Sequence, residues 1–178
     1  ASTCGSPAND GAEDIDGHGT HVAGSVLGDG TDSYGNIKGM APEARLYFQS
    51  VGSYCANNPP GERNTLLGIP TNKTDLFRFA AENGSRVHTN SWGNTCSPSA
   101  PCYSEYTMGS LQADIAAREY TNMTILFSAG NSGADANLNG EVDFDSLGNP
   151  ATAKNVFTVG ASENNRPNLN YVWGTSYG

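Results

Sequence analysis

Met123-Thr124-Ile125-Leu126-Phe127-Ser128-Ala129 is a continuous apolar run bounded by Thr121-Asn122 on one side and Gly130-Asn131 on the other. A run of that length, too short for a helix and uninterrupted by charge, fits a strand at the centre of a sheet. Further strand segments lie around it: Asn155–Ala161 (NVFTVGA), Val87–Ser91 (VHTNS) and Ala44–Val51 (ARLYFQSV). Helical patterns separate them. Thr20–Leu27 is a small-residue helix after a Gly-His-Gly entry. Thr71–Asn83 places Leu76, Phe79 and Ala80 at helical spacing and stops at Asn83-Gly84. Ser110–Tyr120 places Leu111, Ile115 and Ala116 on one face. Residues 1–17 read as loop, and Tyr54–Asn64, with Pro59-Pro60, as a long turn. Strands alternating with helices predict an α/β fold in three layers, a mostly parallel sheet flanked by helices. Such sheets bind ligands at the carboxyl ends of their strands, where Ser91-Trp92-Gly93 and Gly130-Asn131 fall.

The 178 residues suffice for one domain with a core, and 22 glycines suit a loop-rich globular chain. The net charge of −9, with only nine Lys and Arg, argues against nucleic acid, which needs clustered cations. No apolar run has membrane-spanning length, and no leader pattern opens the sequence, so mature or excised material is expected. Four cysteines suit a secreted protein with disulfides, and four cysteines allow three connectivities. The short Pro-rich stretch between Cys96 and Cys102 favours their bridge, which would leave Cys4 with Cys55; free thiols are the alternative.

Gly17-His18-Gly19-Thr20-His21-Val22-Ala23-Gly24 sets a histidine in a glycine-flanked turn just before a helix. A histidine there can serve as a general base, because its pKa is near neutrality. Beyond the central strand, Gly130-Asn131-Ser132-Gly133 offers an amide N–H where a developing oxyanion could be held. Ser91-Trp92-Gly93 could pair with an extended peptide, or Trp92 could simply pack in the core. A zinc reading of His18 and His21 lacks a third ligand and the HExxH arrangement. Asn72, Asn83 and Asn122 head N-x-Ser/Thr sequons, which chance alone explains.

Taken in order, HGTHVAGSV, GMAP, TNSWG, MTILFSAGN, PATAKN and TVGASEN resemble the subtilisin-like serine proteases, closest to the large bacterial alkaline-protease branch. The resemblance runs from about residue 14 to about residue 167, the middle of a catalytic domain incomplete at both ends. It implies His18 as general base, Asn131 as oxyanion donor, Ser91, Trp92 and Gly93 as the substrate strand, and Ser128 and Gly130 in the primary specificity pocket. It also implies a secreted endopeptidase acting on peptides or proteins, and not on a membrane or nucleic acid.

Two expected pieces are absent. No aspartate before His18 stands at the end of a strand; Asp10, Asp14 and Asp16 sit in a short polar loop. Gly174-Thr175-Ser176 resembles the nucleophile segment, but Ser176 follows Val159-Gly160-Ala161 too soon and lacks the Met-Ala and the Pro with which the family continues. The same residues within Gly174-Thr175-Ser176-Tyr177-Gly178 match a nucleophile elbow, which needs a later histidine, and none follows. The chain alone is therefore expected to be inactive, its bare edges paired with the flanking segments or a second copy. The alternative is a protease-like protein that binds peptide or calcium without cleaving.

Asp135-Ala136-Asn137-Leu138-Asn139-Gly140-Glu141-Val142-Asp143, within the 134–149 insertion, places oxygen side chains at positions one, three, five and nine of a loop, and Glu141 joins them in the expected ligand set. Glycine holds the sixth position and Val142 the apolar eighth, the front of an EF-hand-type calcium loop. At the twelfth position stands Ser146 instead of glutamate, so Asp145 or a backbone carbonyl would complete the shell. Ca²⁺ is the expected cofactor, clamping the loop beyond Asn131; a solvated acidic turn is the alternative.

Overall fold

The computed structural model describes residues 14, 17–54, 64–94, 104–133 and 137–161. They fall into two compact units, Ala1–Asn72 and Lys73–Gly178. In the first unit, α1 spans His18–Leu27, beginning two residues before the sequence-predicted start. Its last turn is closed by the returning chain, with Met40 N–H donating to Ser25 O and Ala41 N–H to Val26 O. A short 3₁₀ turn at Thr31–Ser33 follows. The predicted strand Ala44–Val51 runs without a strand ladder, although Leu46, Tyr47 and Phe48 have strand character. Propensity without a hydrogen-bonded neighbour does not make a strand. At its end, Gly68 N–H donates to Val51 O (3.0 Å). Ser53–Tyr54 (β1) and Asn64–Thr65 (β2) pair antiparallel.

The second unit holds the parallel sheet flanked by helices. It runs α2 (Thr74–Glu82), β3 (Val87–Asn90), α3 (Met108–Glu119), β4 (Thr124–Ser128) and β5 (Phe157–Val159). The sheet order is β3-β4-β5, both pairs parallel, so the apolar run is central as predicted. Ile125 and Phe127 alternate onto one face of β4 and are 1% exposed. They meet Phe77 and Ala80 of α2 and Ala113 and Ala116 of α3, with Met123 and Ala151 completing the core. Val87, Phe157 and Val159 of the flanking strands are exposed.

The helices bury Leu76, Ala80 and Ala116 as expected but depart at Phe79, Leu111 and Ile115. In α2 the buried positions are Leu76, Phe77 and Ala80, whereas Phe79 is exposed with the Arg78 guanidinium 4.3 Å from its ring centre. Phe77 instead reaches the sheet, edge-on to Phe127 at 6.4 Å. In α3 Ala113 and Ala116 are buried, and Leu111 and Ile115 face outward. Two helices seated close together over one sheet face need small residues at the contact, which outweighs the bulk of Leu111 and Ile115. Thr107 and Ser110 form a capping box at the start of α3, and buried Ser110 Oγ also bonds Thr152 Oγ1 (2.7 Å).

Between β4 and β5 the chain returns along α3 through residues 148–155. Asp114 holds it there, accepting from Lys154 N–H, Asn155 N–H, Asn155 Nδ2 and Tyr106 Oη. Burial acts to raise the Asp114 pKa, but these hydrogen bonds outweigh it and keep the carboxyl below its ordinary value.

Candidate active site

In the first unit, His18 is the first residue of α1, exposed, after Gly17 in the left-handed region (φ 80°). A glycine N-cap offers no side chain to the free N–H groups of the first turn. Asp14 takes up two of them, its carboxylate accepting from Gly17 N–H (3.1 Å) and from Thr20 N–H. Hydrogen bonds from Thr20, side chain before backbone, outweigh desolvation and with those of Gly17 and the charge of His18 hold Asp14 below the usual carboxylate range. The sequence pattern does not single out Asp14 when an aspartate behind a strand is sought. The signal is nevertheless present in the spacing, an acidic residue three before a glycine that opens a helix.

In the second unit, the register fixes the rest. Asn90 pairs with Phe127, so the segments after β3 and β4, Ser91-Trp92-Gly93 and Ser128-Ala129-Gly130-Asn131, emerge side by side from the carboxyl end of the sheet. β3 is one of the two edge strands, so its outer side is open to strand pairing among the described residues. Trp92 is half-buried and packs edge-on to Phe127 at 5.4 Å, so it anchors this segment to the core. Ser91 is partly buried, while Gly93, Ser128, Gly130 and Asn131 are exposed. Gly130 adopts φ 93°, a turn that side chains resist, and so swings Asn131 off the strand direction.

The base of the β3 segment rests on buried Asn90 and half-buried His88. Asn90, 2% exposed, donates through Nδ2 to Leu126 O and to His88 Nδ1, both at 3.0 Å. His88 packs against Phe77 with the rings tilted by 59° and their centres 4.8 Å apart. Burial pushes its pKa down to about 4, so it is neutral at pH 7. Accepting at Nδ1 places its proton on Nε2. Beyond Gly93, Asn94 N–H donates to Asn149 O (3.0 Å). Gly148 is indispensable to that approach, since a Cβ would lie 2.1 Å from Asn94 O.

Of the expected calcium ligands, Asn137, Asn139, Glu141 and Asp143 are described, and Asp135 lies outside the described residues. Asn137 Oδ1 accepts from Asn139 N–H (3.0 Å) and Asn139 Oδ1 from Glu141 N–H (2.9 Å). Asn137 Nδ2 donates to Asp143 Oδ1 (3.3 Å), and Gly140 takes φ 86°. Val142, expected as an apolar anchor, is half exposed. Among the described residues no three His, Cys, Asp or Glu side chains are grouped around a metal position. The expected disulfide residues Cys4, Cys55, Cys96 and Cys102 lie outside the described residues, as does Ser176.

Comparison with known proteins decides the family. The sequence pattern of the subtilase family matches residues 3–177. The chain belongs to the subtilase family. Similar proteins include two from Dictyostelium discoideum described as serine protease/ABC transporter B family proteins. One, tagB, is 30% identical over 167 residues, which is 92% of this chain and 8% of that protein. The other, tagD, is 33% identical over 159 residues, 87% of this chain and 8% of that protein. This subtilase sequence thus spans a small part of the curated relatives it matches. Its parallel sheet with flanking helices agrees with a subtilisin-like α/β fold, and the family is one of serine peptidases acting on peptides or proteins.

Proposed function

We propose that this chain is part of a secreted, calcium-binding serine endopeptidase in which His18 is the general base and Asn131 the oxyanion donor. The observation that carries the reading is the position of Asn131, one residue past the φ 93° turn of Gly130 at the carboxyl end of the central strand. In the reaction His18 takes the proton of a serine hydroxyl as its oxygen attacks the scissile carbonyl, then delivers it to the leaving amine. The Asn131 amide donates to the carbonyl oxygen as it becomes negative. Ser91, Trp92 and Gly93 pair with the extended substrate, and Ser128 and Gly130 wall the pocket for its side chain. The serine, and the aspartate that orients His18, belong to sequence outside these 178 residues. Cys96–Cys102 and Cys4–Cys55 are the proposed disulfides.

Calcium fits the donor chemistry of the loop after Asn131. Asn137, Asn139 and Asp143 present oxygen ligands, with Asp135 and Glu141 adding charge. Asn137 Oδ1 and Asn139 Oδ1 each accept a backbone N–H, which turns the loop on itself, and amide and carboxylate oxygens are the ligand type that Ca²⁺ takes. The ion would brace the loop and takes no part in bond cleavage.

The test is labelling with a fluorophosphonate and hydrolysis of a peptide substrate, on this chain and on the longer protein that contains it. Labelling and turnover of the longer protein, both abolished by His18→Ala, are expected, with neither in the isolated chain. Asn131→Ala should lower kcat by about 10²–10³, the known scale for such a donor in this family. Absence of labelling in the longer protein would favour a non-catalytic peptide-binding domain. Labelling at Ser176 would overturn the placement of the nucleophile.

A further inference from the structure

We propose that Asp14 is a positioning residue that fixes the place of His18 by tying together the backbone on both sides of it. The inference rests on the reading of His18 as general base. One carboxylate spans the turn: Oδ1 accepts from Gly17 N–H, the residue before His18, and Oδ2 from Thr20 N–H, two residues after it. Gly17 has no side chain for this work, and no side chain caps α1 from the N-cap position itself. The third wall is Phe48. A Cβ on Gly19 would lie 3.1 Å from Phe48 Cζ and 3.5 Å from Asp14 Oδ2, so the bare glycine lets ring and carboxylate close on the turn together.

The negative charge also lies where the dipole of α1 favours it. A general base must stay within hydrogen-bond reach of the hydroxyl it deprotonates, and displacement by about 1 Å can cost on the order of 10²-fold in rate. A turn that frays at its first hydrogen bonds would allow such displacement. Asp29 is the natural comparison, since it accepts from Thr31 N–H in the same manner (2.9 Å) but at the 3₁₀ turn, away from His18 in sequence.

The experiment compares Asp14→Ala, Asp14→Asn and Asp29→Ala in the protein that contains this chain. Peptide-hydrolysis kinetics and NMR of the Thr20 amide and the His18 ring are the readouts. Asp14→Ala should lower kcat by about 10- to 100-fold with KM within about twofold. Asp14→Asn, which keeps one acceptor oxygen, should recover part of the loss, and Asp29→Ala should leave kcat unchanged. In the parent, the Thr20 amide should follow the ionisation of Asp14, and Asp14→Ala should shift and broaden the His18 ring signals. An unchanged kcat in Asp14→Ala, or an equal loss in Asp29→Ala, overturns the proposal. If the parent has no peptidase activity, the endopeptidase reading fails by itself, and the NMR arm still decides. An unaltered His18 ring spectrum in both Asp14 variants then refutes the positioning role.

Discussion

Acidification should destabilise the second unit through His88, and the size of the effect follows from its surroundings. The imidazole is held against Phe77 and accepts from Asn90 Nδ2, with its pKa lowered from 6.5 to about 4 by burial. Below pH 6.5 the unfolded chain binds a proton at this residue that the folded chain refuses until about pH 4. Stability from His88 is therefore complete above pH 6.5, falls as pH falls through that window, and is lost below about 4. At about 1.4 kcal/mol per pH unit the whole window amounts to about 3 kcal/mol, and the change from about pH 7 to about 4.5 to about 2–3 kcal/mol. Protonation would also turn Nδ1 into a donor facing the Asn90 donor, straining the amide that holds Leu126 O. The assay is urea denaturation of the parent and of His88→Phe at about pH 7 and about pH 4.5, beside an NMR titration of the His88 ring. The parent should lose about 2–3 kcal/mol more than the variant between the two pH values. Titration of His88 near its ordinary value of 6.5, or equal losses in parent and variant, would refute the reasoning.

Phe77→Ala should cost about 3–5 kcal/mol in the same denaturation assay, whereas Phe79→Ala should cost under about 1 kcal/mol, because only Phe77 is in the core. Asp114→Ala frees Lys154 N–H, Asn155 N–H and Tyr106 Oη at once. A partly solvated site lets water replace some of these bonds, so a loss of about 1–3 kcal/mol is expected, read as a lower melting temperature. Adding Ca²⁺ should raise the melting temperature, and Asn139→Ala should abolish that rise while leaving the calcium-free value nearly unchanged. A rise that survives the substitution would count against this loop as the ion's seat.

Periodicity and motif made much of this protein legible without coordinates. The apolar run over residues 123–129 is central, and α2, α3 and the strands at Val87 and Phe157 stand close to where the pattern puts them. These are local properties, since strand burial and helix boundaries leave their mark in adjacent residues. Which helix face turns inward is not local. Phe77 and Phe79 are equally apolar, and Ala113 looks less like core than Leu111 and Ile115. The choice falls to the space left between two helices and one sheet face, where small side chains permit the approach and large ones do not. Ala44–Val51 shows the same limit, because a strand needs a partner and its residues cannot specify one. His88 is silent in the sequence for a related reason, and Asp14 shows there only through its spacing before Gly17. A carboxylate bracing a helix turn and an imidazole kept neutral by burial acquire their character from groups brought to them by the fold. The sequence by itself determined the family, the central strand and the candidate reactive residues, because each is written in contiguous residues. Tertiary structure alone decided which side chains form the core and which polar groups hold the site, because packing space and hydrogen-bond partners come from elements distant in the chain.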